Sequence, residues 1–140
     1  YQFTTLNPNL GVAEYNDKEI TIADIPGLVE GAHEGIGLGD KFLRHIERCK
    51  SLIHLVDITD KNIIKNYFKI RKELAKYSKN LIKKREIIVF NKIDILNENE
   101  ISLKINVFKK EIKKNIYKIS ATQNKGLVEI KRLLIKNVYK

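Results

Sequence analysis

At 140 residues, with 43% hydrophobic and 31% charged side chains, the chain suits one compact domain with a real core. No run approaches the roughly 20 apolar residues of a membrane span, no signal peptide is visible, and the single cysteine, Cys49, excludes an internal disulfide. The net charge of +10 is lopsided: residues 1–60 carry 5 basic and 10 acidic side chains, residues 61–140 carry 22 and 7.

In chain order, residues 10–16 and 19–25 read as two short strands joined at Asn16-Asp17, a turn-forming pair. Residues 26–38 are a glycine-rich loop, and 39–50 read as a helix leading to Cys49. "SLIHLVDI" (51–58) is a continuous apolar run of strand length, the pattern of a strand buried on both faces. Ile63, Tyr67, Ile70, Leu74, Tyr77 and Leu81 fall at steps of four and three, which predicts one helix face over 61–81. "EIIVFN" (86–91) predicts a second buried strand, 99–114 a helix, "IYKI" (116–119) a third strand and 125–138 a closing helix. Strands alternating with helices imply a parallel sheet covered on both faces, with ligands bound at the carboxyl ends of the strands.

Three polar motifs stand at strand ends: Asp24-Ile25-Pro26-Gly27, Asn91-Lys92-Ile93-Asp94 and Ser120-Ala121-Thr122, separated by 67 and 29 residues. "NKID" has a definite chemistry. Guanine presents two adjacent N–H donors on its Watson–Crick edge, and the Asp94 carboxylate can accept both, while adenine offers no such pair. Asn91 would bond to the base or tie the loops together, and the Lys92 stem would lie across the ring. A backbone N–H near Ala121 would donate to the guanine carbonyl. At the other end of a nucleotide, Asp24 could hold Mg²⁺ through water, since that ion takes oxygen ligands and keeps several waters. Gly27 would bring its N–H to a terminal phosphate with no side chain in the way. In "FTT" (3–5), a Thr hydroxyl could ligate Mg²⁺.

These pieces resemble a GTPase domain. "YQFTTLNPNLGV", "ADIPGLVEGAHEGIGLGDKFLRHIERC", "HLVDI", "FNKID" and "ISAT" are similar to the Obg family of translation-factor-class GTPases over essentially the whole chain. The resemblance implies a P-loop NTPase-type α/β fold of three layers (helices, a mostly parallel sheet, helices). It also implies a cytoplasmic, monomeric GTP-hydrolysing switch that binds GTP or GDP with Mg²⁺ and serves assembly of the large ribosomal subunit, with no role for DNA or a membrane. Carried over by motif, Phe3, Thr4, Thr5, Leu6 and Asn7 would form switch I, with Thr5 on Mg²⁺. Asp24, Ile25, Pro26 and Gly27 would sense the γ-phosphate. Asn91, Lys92, Ile93 and Asp94 would read guanine, backed by Ser120, Ala121 and Thr122.

Family members open the domain with a strand, a glycine-rich phosphate loop ending in Gly-Lys-Ser, and a helix. No G-x-x-x-x-G-K-[ST] occurs in these 140 residues, which start at Tyr1 and contain no Met. Residues 1–140 are therefore expected to be a partial GTPase domain, weak in GTP binding on its own, with the first strand absent from the sheet. Leu28 stands where many relatives of this fold place a water-orienting Gln, and no catalytic residue is assigned. A nucleotide-independent rRNA-binding module is the alternative, because a basic half attracts phosphates; yet 22 of the 27 cations are lysine, as in a lysine-biased proteome. A third option, a transport-associated GTPase sharing the same short motifs, conflicts with the long glycine-rich loop. His33, His45 and His54 have no ligand cluster and read as structural or solvated, and Cys49 as a small buried hydrophobe.

Overall fold

A computed structural model describes residues 10–23 and 47–139. Strands β1 (Leu10–Tyr15) and β2 (Lys18–Ala23) form an antiparallel hairpin in which Tyr15 opposes Lys18. The two residues between them, Asn16 (φ 50°) and Asp17 (φ 62°), are both left-handed. That is the two-residue turn whose twist matches the flanking strands, and Asn and Asp tolerate its backbone better than most residues. Asn16 therefore belongs to the turn and not to the first strand.

Strands β3 (Ser51–Asp57), β4 (Arg85–Asn91) and β5 (Ile116–Lys118) form a parallel sheet in the order β3-β4-β5. The hairpin is a separate two-stranded sheet, and no ladder joins β2 to β3.

The central strand divides the interior into two cores. Ile88 and Phe90 point to one side, where helices α1 (Ile63–Tyr77) and α2 (Glu98–Glu111) supply Tyr67, Ile101 and Phe108. Ile87 and Val89 point to the other, against Ile130, Leu134 and Ile135 of α3 (Leu127–Val138) and Ile20 of the hairpin. The result is helices, sheet, helix: the three-layer α/β plan expected from the alternation of elements. Phe90 and Phe108 are fully buried and meet edge to face at 5.1 Å. Each such side chain contributes about 1.5–3 kcal/mol of burial.

β3 corrects an expectation. Leu52 and Val56 are buried, but Ile53 is 38% and Leu55 58% exposed. By register these two oppose Ile87 and Val89, on the face of α3. The α3 core gathers β4, Ile119 beyond β5 and the hairpin, and leaves that face of β3 open. A continuous apolar run therefore did not mean burial on both faces here.

The helices end where local chemistry ends them. α1 stops at Tyr77, four residues short of the periodic pattern, because Ser78 turns extended and its Oγ accepts from Leu81 N at 3.3 Å. Leu81, fully buried, sits in a separate 3₁₀ turn (Leu81–Lys83). α2 begins with a reciprocal cap: Asn97 Oδ1 accepts from Glu100 N at 2.9 Å while Asn97 Nδ2 donates to Glu100 Oε1 at 2.6 Å. α3 begins at Gly126, whose φ of +77° favours glycine, and a Cβ there would collide with the Lys118 carbonyl oxygen. α3 also holds the hairpin at its surface. Arg132 Nε donates to Tyr15 Oη at 3.1 Å, and Tyr139 Oη donates to the Glu19 carbonyl at 2.6 Å.

Candidate functional site

The carboxyl ends of β3, β4 and β5 meet at one edge, and the polar residues that follow them are tied together. At the end of β4, Asn91 accepts from Ile58 N at 3.1 Å through its carbonyl and from Ala121 N at 3.1 Å through Oδ1. One side chain thus joins the segments that leave β4 and β5, while its backbone holds the segment that leaves β3. Lys92 follows with φ 68°, ψ 30°, a left-handed conformation that a side-chain-bearing residue rarely adopts. It bends the chain into the 3₁₀ turn Ile93–Ile95, and Ile93 N donates to the Ile119 carbonyl at 3.3 Å.

Asp94 lies in that turn, exposed, with one oxygen held from behind. Ser120, fully buried, donates from Oγ to Asp94 Oδ1 at 2.6 Å. The same hydroxyl accepts from Gln123 N at 3.2 Å and lies 3.4 Å from Thr122 Oγ1. A carboxylate has about four acceptor positions, so one bond from Ser120 orients Asp94 and leaves it able to accept two more N–H groups side by side. The loop carrying Ala121 and Thr122 is closed by a bridge between Ser120 and Lys125 and by Asn124 at φ 56°.

The sequence-predicted residues Asn91, Lys92, Ile93, Asp94, Ser120, Ala121 and Thr122 therefore converge. Ile93 contributes its backbone and packs against the α1/α2 core. The Ala121 N–H is engaged by Asn91, so Asn91 ties the loops together, the second of its two expected roles, and that amide is not free for the base. Phe3, Thr4, Thr5, Leu6, Asn7, Asp24, Ile25, Pro26 and Gly27 lie outside the described residues, as does most of the helix expected over 39–50.

Two residues at this edge were missed. Lys92 Nζ donates to Asp57 Oδ2 at 2.8 Å, and Asp57 Oδ1 accepts from Thr59 N and Thr59 Oγ1 at 2.9 and 2.6 Å. The bond from Lys92 first, and those from Thr59 next, hold the Asp57 carboxyl at about 2. Asp57 is the register partner of Asn91, so the parallel ladder itself puts it beside Lys92. An acidic residue ending an apolar run, as in "HLVDI", was the available signal.

At the opposite end of β4, Glu86 is a buried hub with a side chain 3% exposed. It accepts from Tyr67 Oη at 2.5 Å and Lys114 Nζ at 2.9 Å, and contacts His54 Nδ1 at 3.1 Å and Arg71 at 3.4 Å. Burial would raise its pKa, but the bonds from His54, Tyr67 and Lys114 and the Arg71 charge outweigh burial and hold it at about 2. His54, stacked on Tyr67 at 4.7 Å, has the structural role expected of it. Cys49 is only half-buried, which is less than expected; burial pushes its thiol up, partly offset by Lys84. Among the described residues no group of three or more His, Cys, Asp or Glu could hold a metal ion, and no helix is long and apolar enough to cross a membrane.

Comparison with known proteins bears on this edge. Residues 1–92 match the family model described as 50S ribosome-binding GTPase. The chain is 54% identical over 138 residues to GTPase Obg of Pelagibacter ubique and 51% identical over 138 residues to GTPase Obg of Rickettsia felis. Each alignment covers 99% of this chain and 42% of the relative, so the chain spans about two fifths of the length of those proteins. Its fold matches the crystal structure of Era in complex with MgGDPNP and nucleotides 1506–1542 of 16S ribosomal RNA, with a TM-score of 0.69 at 24% identity, covering 96% of this chain and 45% of that one. The likeness to Obg GTPases read from the motifs thus holds along the chain, and with the family model matching more than half of its residues, this protein belongs to the 50S ribosome-binding GTPase family.

Proposed function

We propose that residues 1–140 are part of a GTPase domain, weak in nucleotide binding on its own, whose edge built by Asn91, Asp94 and Ser120 reads the guanine of GTP and GDP in the complete protein. In the complete protein this domain hydrolyses GTP as a cytoplasmic, monomeric switch in assembly of the large ribosomal subunit. The observation that carries the reading is Asp94, held by the buried Ser120 hydroxyl with its remaining acceptor positions turned to solvent. A guanine edge placed there satisfies both of its N–H donors at one carboxylate. Asn91 keeps the two loops in register, the Lys92 stem would cover one face of the ring, and, with the Ala121 N–H engaged by Asn91, the amide of Thr122 is left to donate to the base carbonyl. Asp57 restrains Lys92 by an ion pair and so positions that stem.

The phosphate end falls to residues 3–7 and 24–27. Thr5 and Asp24 are hard oxygen donors, which suit Mg²⁺ and not a softer metal. When bound, Mg²⁺ would neutralise charge building on the phosphate oxygens. Gly27 would admit its N–H to the terminal phosphate, and Asp24 would hold the ion through water. Hydrolysis would then release both segments and alter the surface shown to a ribosome.

The test is phosphate release from GTP by the full-length protein, with ATP as competitor and with cosedimentation on 50S subunits in each nucleotide state. Hydrolysis insensitive to excess ATP, together with GTP-dependent cosedimentation, supports the reading. Hydrolysis of ATP at a similar rate, or subunit binding indifferent to nucleotide, contradicts it.

A further inference from the structure

At the end of the sheet remote from Asp94, the segments entering β4 and β5 lie side by side, because those strands pair in parallel from Ile88 and Ile116. The 3₁₀ turn delivers Lys84 and Arg85; the chain leaving α2 delivers Lys113 and Lys114. These four cations, with Asn115 and Tyr117, line a concavity of about 440 Å³. We propose that this concavity is a binding site for the phosphodiester backbone of RNA, distinct from the nucleotide edge. The inference names a contact surface for the ribosomal association proposed above and rests on that reading only for the identity of the RNA.

Charge is the first support. The one carboxylate on the wall, Glu86, is shared among Lys114, Arg71, Tyr67 and His54, so against four cations it leaves the wall net positive. Arg85 and Lys113 are exposed and make no ion pair among the described residues. Like charges gathered round one recess repel each other in the folded protein, and a bound polyanion relieves that repulsion while releasing its own counterions. Glu86 also fixes Lys114 on the wall at 2.9 Å, so part of the site is preorganised.

Shape is the second. The volume lies within the roughly 300–1,000 Å³ of ordinary ligand sites, and the site is a recess. A flexible chain of phosphates can enter a recess, whereas a planar layer of lipid headgroups reaches only its rim. Asn115 adds an amide able to bond to sugar or phosphate oxygens, and the half-buried Tyr117 a phenol. Position is the third. The site stands at the amino ends of the strands and the guanine edge at their carboxyl ends, so both can be occupied together.

The experiment uses the full-length protein and a fluorescently labelled single-stranded RNA 20-mer, with anisotropy measured over a salt series. Arg85→Ala with Lys113→Ala changes two exposed side chains that hold nothing else in place. The expected result is at least about fivefold weaker RNA binding at low salt. The slope of log K against log salt should fall by about 1.4, since each phosphate contact to a single strand contributes roughly 0.7. A control pair on α1, Lys65→Ala with Lys72→Ala, should leave the slope unchanged. Equal losses from both pairs mean that net charge alone attracts RNA, and overturn the site; so does an unchanged slope in the first pair. Binding to phosphatidylserine vesicles that depends on Arg85 and Lys113, without an effect on RNA, assigns the surface to lipid and overturns it as well. GTP binding is read in parallel. If RNA binding falls while the full-length protein never binds GTP, the RNA site stands and the GTPase reading fails.

Discussion

Replacing Ser120 with Ala tests how the guanine edge is preorganised. Ser120 is fully buried, and its hydroxyl donates to Asp94 at 2.6 Å while accepting from Gln123 N at 3.2 Å. A hydrogen bond to a charged group contributes about 1.5–3 kcal/mol when water is excluded. Asp94 is exposed, so water competes for its oxygens and reduces that range to about 1–2 kcal/mol. At 1.4 kcal/mol per tenfold, GDP affinity of the full-length protein should fall roughly 5- to 30-fold. Stability should change little, because Gln123 is exposed and its freed N–H meets water; a loss of about 1 kcal/mol or less is expected. The assay is displacement of a fluorescent guanine nucleotide, with a thermal melt of each protein alongside. GDP affinity unchanged within twofold while the melting temperature drops would refute the reasoning, since Ser120 would then serve packing alone.

Gly126→Ala forces a Cβ at φ +77° into the Lys118 carbonyl and against Ile119 Cγ2, so about 2 kcal/mol or more should be lost. An unchanged urea midpoint would contradict the close approach of α3 to β5. Glu86 titrates at about 2 in the folded protein against an ordinary 4.5, so its stabilisation is complete above about pH 4.5 and is lost as pH falls toward 2. The gap corresponds to about 2–3 kcal/mol after allowance for the exposed Lys114 partner. Unfolding midpoints measured between pH 6 and pH 3 should fall more steeply for the native protein than for Glu86→Gln; parallel curves would show that Glu86 is not a stabilising hub.

Much of the fold was legible because its signals are local. Asn16-Asp17 announces a two-residue turn, the apolar core of "EIIVFN" announces a buried strand, and the helix expected from residue 99 starts at Glu98; each appears within a residue or two of its expected place. What failed depends on distant neighbours. Leu81 continues the period of α1, but the break at Ser78 and the hydrogen bond to its hydroxyl decide the helix end. Ile53 and Leu55 are as apolar as any core residue, and only the placement of α3 shows that their face stays open. At the site, the convergence of Asn91, Asp94 and Ser120 could be read from strand ends. The Asp57–Lys92 pair could not, because it requires knowing that β3 and β4 are adjacent and in which register. The Glu86 hub is hidden for the same reason, since its four partners come from three separate segments.

The most direct test of the account exchanges the edge that Asp94 reads. Guanine carries an amino group where xanthine carries a carbonyl. The Asp94 carboxylate accepts two N–H groups, whereas an amide offers one acceptor and one donor. The account predicts that the full-length native protein prefers GDP over XDP by at least about 100-fold, and that Asp94→Asn reverses that order, because a carboxylate set against a carbonyl leaves two acceptors facing each other with no donor between them. A variant that still prefers GDP, or loses GDP without gaining XDP while remaining folded, would show that Asp94 does not read the base.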